Sequence, residues 1–334
     1  MNIYVDLDNL SSYASKGGSE HFAACNEMLR KNFNIHFTFS KTTLENCKKK
    51  IREPIMKLMR TLTRARGSES DKLTWESNFP MCPITEDFYD NLNWEQLMSL
   101  YWLSDKSATD VQKHGLLMIA SVGEELKSLL QLFIDNEALP TKKFPLREMK
   151  DWGLLRQHSM PCTDIIIIDP YFFAQSDYLY ERNSYQVIAE LSHHACGKPL
   201  NIVIFTNPQY RLENNGYVDV PFPSILRNLK TLISDICGNE PNITIVKLPK
   251  KEEHDRTIIT NYKMFVSGDS FTFFDNDGNN TSHARWFDVN SLAHKHIHEQ
   301  VTRYLKELQC ITDTQEAGLM GIVGDKVSNF LTFS

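Results

Sequence analysis

The segment 254–261 carries the residues of this sequence whose types and spacing are best suited to chemistry. It begins with His254, has Arg256 two positions further on and ends at Asn261. An arginine offers a planar fork of donors that suits bidentate contact with a phosphate group. We therefore predict that this segment recognises phosphate. The simpler alternative is a histidine that makes an ordinary hydrogen bond at the start of a strand.

The spacing resembles the signature of phospholipase D-like proteins, which is His-x-Lys-x4-Asp followed after six residues by Gly-Ser-x-Asn. Its positions are occupied here by His254, Arg256, Asn261, Gly268, Asp269 and Phe271. Only the histidine and the glycine match strictly. Upstream, the run IIIIDPYFF (165–173) is similar to the phospholipase D-like domain at the C terminus of MIT-domain proteins, a branch that also uses a His-Asp-Arg motif. The resemblance covers residues 160–290 and leaves the N-terminal half outside it.

The resemblance implies two possible functions. In active members a histidine attacks phosphorus, a lysine neutralises phosphoryl oxygens and an aspartate orients the histidine, with two motifs meeting at one site. A chain with one motif would then cleave phosphodiesters as a homodimer, with His254, Arg256 and Asn261 as its catalytic positions. Asn261 cannot supply negative charge to a cationic imidazole, whereas Arg256 keeps the positive charge of the lysine. Because the nearer branch binds phosphoinositides or membranes, we favour binding over cleavage.

Two residues upstream are predicted to complete the site. Asp169 and Tyr171 follow an apolar run typical of a buried strand, and open α/β sheets bind ligands at the carboxyl ends of such strands. An aspartate that only caps the following turn is an equally good interpretation. The predicted phosphate-binding residues are His254, Arg256, Gly268, Ser270, Asp169 and Tyr171.

Residues 41–66 are predicted to form a basic amphipathic helix. Its apolar stripe at helical spacing consists of Ile51, Ile55, Leu58 and Leu62. The predicted nucleic-acid contacts on the nearly opposite face are Lys50, Lys57, Arg60 and Arg64. A solvated face, an acidic membrane surface and an acidic partner protein remain as alternatives.

The pattern along the chain predicts an α/β fold. Residues 1–155 are predicted to be a mostly helical domain with a few strands, in which 91–104 and 108–135 have helical patterns. Residues 156–310 alternate strand-like runs with helices, which predicts a phospholipase D-like mixed sheet flanked by helices. Residues 311–334 are predicted to be a C-terminal tail.

Composition narrows the class of protein. The net charge of −6 argues against a chain that coats nucleic acid, although a local patch can still bind phosphates. The seven cysteines include no CxxC pair, and no apolar run approaches the length of a membrane span. We therefore expect a cytoplasmic protein.

VDLDN (5–9) resembles acidic motifs of haloacid dehalogenase-like phosphatases and NYN/PIN-like nucleases, in which carboxylates hold Mg²⁺. Their later acidic motifs are not apparent, so we favour an Asx turn and predict no metal or other cofactor.

These features together predict a phosphate-recognising module that binds nucleic acid as a homodimer or as a subunit of a multi-protein complex. Family association suggests a role in bacterial antiviral defence. The first alternative is a homodimeric nuclease or other phosphodiesterase that uses His254. The second is a catalytically silent scaffold for protein contacts.

Overall fold

The chain divides into two compact units in the computed structural model: residues 1–140 with 292–298, and residues 141–291 with 299–334. The structure describes residues 1–16, 20–63, 73–75, 92–104, 115–119, 126, 130, 141–174, 177–211, 216–248, 256–318 and 321–334. The division falls after Pro140 rather than near residue 155, because residues 141–145 form a strand of the second unit's sheet. Residues 311–334 belong to the second unit and do not form a separate tail.

The first unit is built on a five-stranded sheet of order β3-β2-β1-β4-β5, in which all paired neighbours are parallel. Its described elements are β1 (Asn2–Val5), α1 (Leu7–Lys16), α2 (Glu20–Asn32), β2 (Asn34–Phe37), α3 (Lys41–Glu45), α4 (Lys49–Thr63), β3 (Leu73–Thr74), α5 (Trp94–Leu97), β4 (Leu100–Trp102) and β5 (Leu117–Ile119). Both β4, an inner strand, and β5, at the end of the described sheet, are buried along their whole length, as is common for strands of a parallel sheet.

Two of these strands lie where the sequence predicted helices. β4 falls within 91–104, and β5 falls within 108–135. Their sequences, LYW and LMI, are short and apolar throughout, and periodicity alone does not separate such a run from a buried helix. Parallel neighbours supply hydrogen bonds on both sides of β4. The first unit therefore contains more sheet than the sequence indicated.

The predicted basic helix is divided in the structure into α3 and α4. The Ser40 side chain caps α3 by accepting a hydrogen bond from the Thr43 amide at 2.9 Å. The buried members of the apolar stripe are Ile55, Leu58 and Leu62. The predicted contacts that are exposed on α4 are Lys50, Lys57 and Arg60. The remaining one, Arg64, lies outside the described residues.

The second unit is built on an eight-stranded mixed sheet of order β15-β11-β8-β7-β12-β13-β14-β6. Its described elements are β6 (Thr141–Pro145), α6 (Gly153–His158), β7 (Asp164–Ile168), α7 (Asp177–Arg182), α8 (Ser184–Ser192), β8 (Asn201–Thr206), β9 (Gln209–Arg211), β10 (Tyr217–Asp219), α9 (Phe222–Cys237), β11 (Asn242–Lys247), β12 (Arg256–Thr260), β13 (Lys263–Ser267), β14 (Trp286–Ser291), α10 (Lys295–Ala317) and β15 (Ile322–Gly324). The predicted α/β class, with a mixed sheet flanked by helices, is confirmed.

The strand ends of this sheet lie along two opposite sides, which the strand directions distinguish. β7, β8 and β11 are parallel and end on the same side, which we call the carboxyl edge. β12 runs antiparallel to β7 and so begins at the carboxyl edge, β13 ends there, and β14 begins there. The strands β9 and β10 form a separate hairpin that follows β8 at the same edge.

No helix among the described residues is both long enough and apolar enough to cross a membrane. The longest described helix, α10, carries charged and polar residues throughout its length.

Strand β15 pairs with β11 through a close approach of two backbones. Gly324 lies opposite Thr244 and has a φ of +107°, a conformation that side chains with a Cβ rarely adopt. A Cβ at this position would overlap the carbonyl oxygen of Ile243. The glycine is therefore required for the pairing of β15 with β11.

Substituting Gly324→Ala is expected to lower the free energy of unfolding by about 2 kcal/mol or more, because a strained φ and a backbone overlap add to each other. Denaturant titration of the purified protein measures the loss. Gly318→Ala is the matched control, since a Cβ there would meet no atom closer than 3.7 Å. Equal stability of the two variants would contradict the close packing of β15.

Candidate functional site

The carboxyl edge of the second unit brings several predicted site residues together. Thr257 of β12 pairs with Ile168 of β7, which places Arg256 and Asp169 at adjoining strand ends. On its other side Arg256 pairs with Ser267, the residue before Gly268. The predicted residues that meet at this edge are Asp169, Tyr171, Arg256, Gly268 and Ser270.

Asp169 is the buried centre of this group and is 0% exposed. One carboxylate oxygen accepts a hydrogen bond from the Tyr171 amide at 2.9 Å. The other accepts hydrogen bonds from the Ser270 hydroxyl at 2.7 Å and the Phe271 amide at 2.8 Å. Burial raises the pKa of the Asp169 carboxyl, while these hydrogen bonds and the positive charge of Arg256 act in the opposite direction. Asp169 therefore both closes the turn after β7 and holds the loop that follows β13.

Arg256 presents positive charge at the same edge. Its guanidinium carbon lies 5.9 Å from the centre of the Tyr171 ring, within the range of a cation–π contact. Its Nε is buried, and no hydrogen-bond acceptor is found for it. Within the part of the chain that the structure describes, Arg256 also makes no ion pair with a carboxylate. A buried donor without a partner is costly, so this guanidinium is suited to an added oxyanion.

The loop after β13 is fixed by close packing and by a second aspartate. A Cβ on Gly268 would lie 3.2 Å from the Cβ of Ala284, so a larger residue would crowd this chain crossing. The Asp269 carboxylate accepts hydrogen bonds from the Ser282 hydroxyl at 3.2 Å and the His283 amide at 3.0 Å. In the sequence analysis Asp269 was noted only as a departure from the family signature. Its place in the sequence Gly-Asp-Ser could have indicated its structural role, because aspartate in a turn commonly accepts hydrogen bonds from nearby backbone amides.

Asn261 lies at the opposite edge of the sheet from Arg256. It follows Thr260 at the far end of β12, about 16 Å along the strand from Arg256. Its side-chain oxygen accepts a hydrogen bond from the Thr163 amide at 2.9 Å, and its amide group donates one to the Thr163 hydroxyl at 3.1 Å. The candidate catalytic role of Asn261 is therefore corrected to a structural one, because a residue at one end of a strand cannot reach a ligand at the other.

His254 lies outside the described residues, so its predicted place in the site stays a prediction. In the sequence, His254 stands two residues before the start of β12.

The acidic turn of the first unit is also engaged in local hydrogen bonds. One oxygen of Asp6 accepts a hydrogen bond from the Asn9 amide at 2.8 Å, which caps the start of α1 and differs from the predicted Asx turn, whose bond would reach the amide two residues on. The other accepts from the Ser104 amide at 2.5 Å and the Ser104 hydroxyl at 2.7 Å. Among the residues that the structure describes, no group of three histidine, cysteine or acidic side chains is arranged to hold a metal ion.

No protein-family model and no curated protein matches this sequence. One solved structure with a similarity to this chain is that of TrmBL2, an archaeal chromatin protein described as showing a novel mode of DNA binding. The match has a TM-score of 0.26 at 9% identity and covers 55% of this chain and 58% of that chain. The chain thus spans less than two thirds of that protein, and a TM-score this low carries no argument about fold or function.

Proposed function

We propose that the second unit is a phosphate-recognising module of the phospholipase D-like type, and that it binds nucleic acid without cleaving it. The observation that carries the proposal is the guanidinium of Arg256, which stands at the carboxyl edge with a buried Nε that lacks an acceptor. Its position at strand ends, beside a turn and a serine-bearing loop, is where open α/β sheets bind ligands.

The electrostatics of this edge favour an anion. The three hydrogen bonds that Asp169 accepts leave its carboxylate occupied by Tyr171, Ser270 and Phe271. Asp169 is therefore a support for the loops, and the charge of Arg256 is not taken up by a bidentate pair with it. Arg256 as a whole is only partly buried, so a phosphate could approach the uncovered part of the side chain, and arginine donates N–H hydrogen bonds to phosphate oxygens.

The position of Asn261 supports binding over cleavage. In the family signature this position orients the histidine, but here it holds a neutral side chain that is bonded to Thr163 at the opposite edge. Asn261 therefore offers no acidic group at the carboxyl edge, whereas Arg256 keeps the means to hold a phosphate there. The exposed cations of α4 give the first unit a separate basic surface that would add to nucleic-acid affinity.

Substituting Arg256→Ala is expected to weaken binding of a fluorescently labelled oligonucleotide by about 10- to 100-fold, because a charge-assisted hydrogen bond contributes about 1.5–3 kcal/mol. Fluorescence anisotropy at fixed salt measures the change. Arg256→Lys is expected to lose less, since it keeps the charge and loses the fork. Arg227→Ala is the matched control, because Arg227 is an exposed arginine on α9 and alanine favours helix.

Three outcomes separate the candidate functions. Equal binding by Arg256→Ala and Arg227→Ala would remove the phosphate site and leave the scaffold alternative. Cleavage of the oligonucleotide by the wild type, lost in His254→Ala, would replace the binding proposal with the phosphodiesterase alternative. Binding that depends on Arg256, with no cleavage, is the result that the proposal expects.

A further inference from the structure

The second unit contains a cleft of about 460 Å³ that is lined by α7, α8, the segment before α6 and the loop at 274–278. Its volume falls within the range of about 300–1,000 Å³ that is usual for small-molecule sites. No residue found in its lining belongs to the predicted phosphate site, so the cleft is a separate candidate site. The charged residues in its described lining are Lys150, Asp151, Glu181, Arg182 and Glu190.

The walls of the cleft are held together by hydrogen bonds between distant segments. The buried side chain of Asn183, between α7 and α8, donates to the Phe274 carbonyl at 2.8 Å and accepts from the Phe274 amide at 3.0 Å. The indole Nε1 of Trp152 donates to the Arg182 carbonyl at 3.2 Å. A ligand would therefore enter a cleft that is already formed, which lowers the entropy cost of binding.

Arg182, the last residue of α7, supplies a cation to this cleft. A Cβ on Gly278 would lie 2.7 Å from its Nη1, so the guanidinium occupies space that a side chain at position 278 would take. Within the part of the chain that the structure describes, this guanidinium makes no hydrogen bond and no ion pair, and the same is true of the Lys150 ammonium. An arginine without an acceptor in a cleft is suited to an oxyanion of a ligand.

Glu190 supplies an acidic group further along α8. Gln186 and Glu190 also line the cleft and are one turn apart, so they share a face of the helix. The Oε2 atom of Glu190 is buried and accepts no hydrogen bond, and its ion pair with Nε of Arg156 is long, at 4.0 Å. Six residues separate Glu190 from the start of α8 beside Arg182, which is a rise of about 9 Å.

We propose that this cleft binds a small molecule with an anionic group at one end and an amino group at the other. The anionic group bonds to Arg182, and the amino group donates to the carboxylate of Glu190. The described lining carries three carboxylates and two cations, so a simple anion would meet an excess of negative charge, which an amino group on the ligand offsets. A nucleoside monophosphate with an amino-bearing base and a short peptide both have this chemistry.

The test is isothermal titration calorimetry of the full chain with three probes: adenosine monophosphate, trialanine and inorganic phosphate. The wild type is expected to bind at least one of the first two about 10-fold or more tightly than inorganic phosphate, because it engages both ends of the cleft. Arg182→Ala is expected to weaken that probe by about 10- to 100-fold, and Arg182→Lys should lose less because it keeps the charge.

Glu190→Gln tests the acidic end of the cleft. It keeps the size of the side chain and removes its charge, so it is expected to weaken the amino-bearing probe by about 10-fold without weakening inorganic phosphate. The matched controls are Arg227→Ala on α9 and Glu307→Gln on α10, since both residues are exposed and neither is found in the lining of the cleft.

The preferred probe identifies the source of the ligand, and a preference for either one supports the inference. Binding of both amino-bearing probes no tighter than that of inorganic phosphate overturns it. So does unchanged binding in Arg182→Ala and Glu190→Gln relative to their controls. Because the cleft is separate from the carboxyl edge, Arg256→Ala should bind these probes as the wild type does. Loss in Arg256→Ala alone would assign the probes to the phosphate site and overturn the inference about the cleft.

Discussion

Substituting Asp169→Ala is expected to lower the free energy of unfolding by about 3 kcal/mol or more. The substitution leaves the buried donors of Ser270 and Phe271 and the partly buried amide of Tyr171 without their acceptor, and each unsatisfied buried donor costs about 1–3 kcal/mol. Because the two loops are then no longer tied together, the folded variant should also lose oligonucleotide affinity. Denaturant titration and anisotropy measure the two effects.

Asp235→Ala is the matched control for this prediction, since Asp235 is an exposed aspartate on α9. Asp169→Asn should be intermediate, because it keeps one acceptor oxygen and turns an amide group toward existing donors. A loss in Asp169→Ala no larger than that of the control would show that the carboxylate does not hold the edge together.

The second large effect is expected for Asp164, at the end of the sheet opposite the carboxyl edge. Its buried carboxylate accepts hydrogen bonds from the Asn329 amide at 2.8 Å, the Asn329 side chain at 2.7 Å and the Ser328 hydroxyl at 3.0 Å. Asp164→Ala removes these hydrogen bonds and is expected to cost about 3 kcal/mol, because hydrogen bonds to a charged group contribute about 1.5–3 kcal/mol each and the freed donors of the exposed Asn329 can bond to water instead. It should also release residues 328–331 from the sheet, which hydrogen exchange on their amides would detect.

The contribution of Asp164 should depend on pH. Burial raises its pKa, and the hydrogen bonds from Asn329, Thr163 and Ser328 act against that rise. A carboxyl whose folded pKa is raised binds its proton more tightly in the folded state, so its contribution is fully present below the unfolded pKa of about 3.9 and declines as pH rises through the folded value. The stability deficit of Asp164→Ala should therefore shrink from about pH 4 upward. A deficit that grows with pH would contradict the direction of the shift.

The sequence predicted much of the second unit because its strands are continuous apolar runs and its helices have clear periodicity. β7, β8 and β11 lie where the runs DIIIID, NIVIFT and ITIVKL indicated. The first unit was harder, since β4 and β5 are each three residues long and their pattern does not differ from that of a buried helix. Whether such a short apolar segment becomes a strand or a helix depends on its pairing with strands that are distant in sequence, and the local sequence does not encode this pairing.

The candidate site shows the same limit. A linear motif gives only the spacing of its residues in sequence. Because β12 is extended, the motif residues are spread along its length. Asn261 therefore lies too far from Arg256 to contact the same ligand. The contacts that build the edge, such as Ser270 to Asp169, join residues about a hundred positions apart.

Strand order also bears on self-association of the second unit. The outermost strand β6 has the sequence TKKFP, and lysines together with a proline make a strand a poor template for adding another. At the other extreme, β15 is only three residues long and ends in the turn at Gly324. Both lateral borders of the sheet thus discourage continuation into a second copy. A pair of these chains would then meet through helices or through the loops at the strand ends, and a pair that met at the carboxyl edge would set one proposed phosphate site against the other.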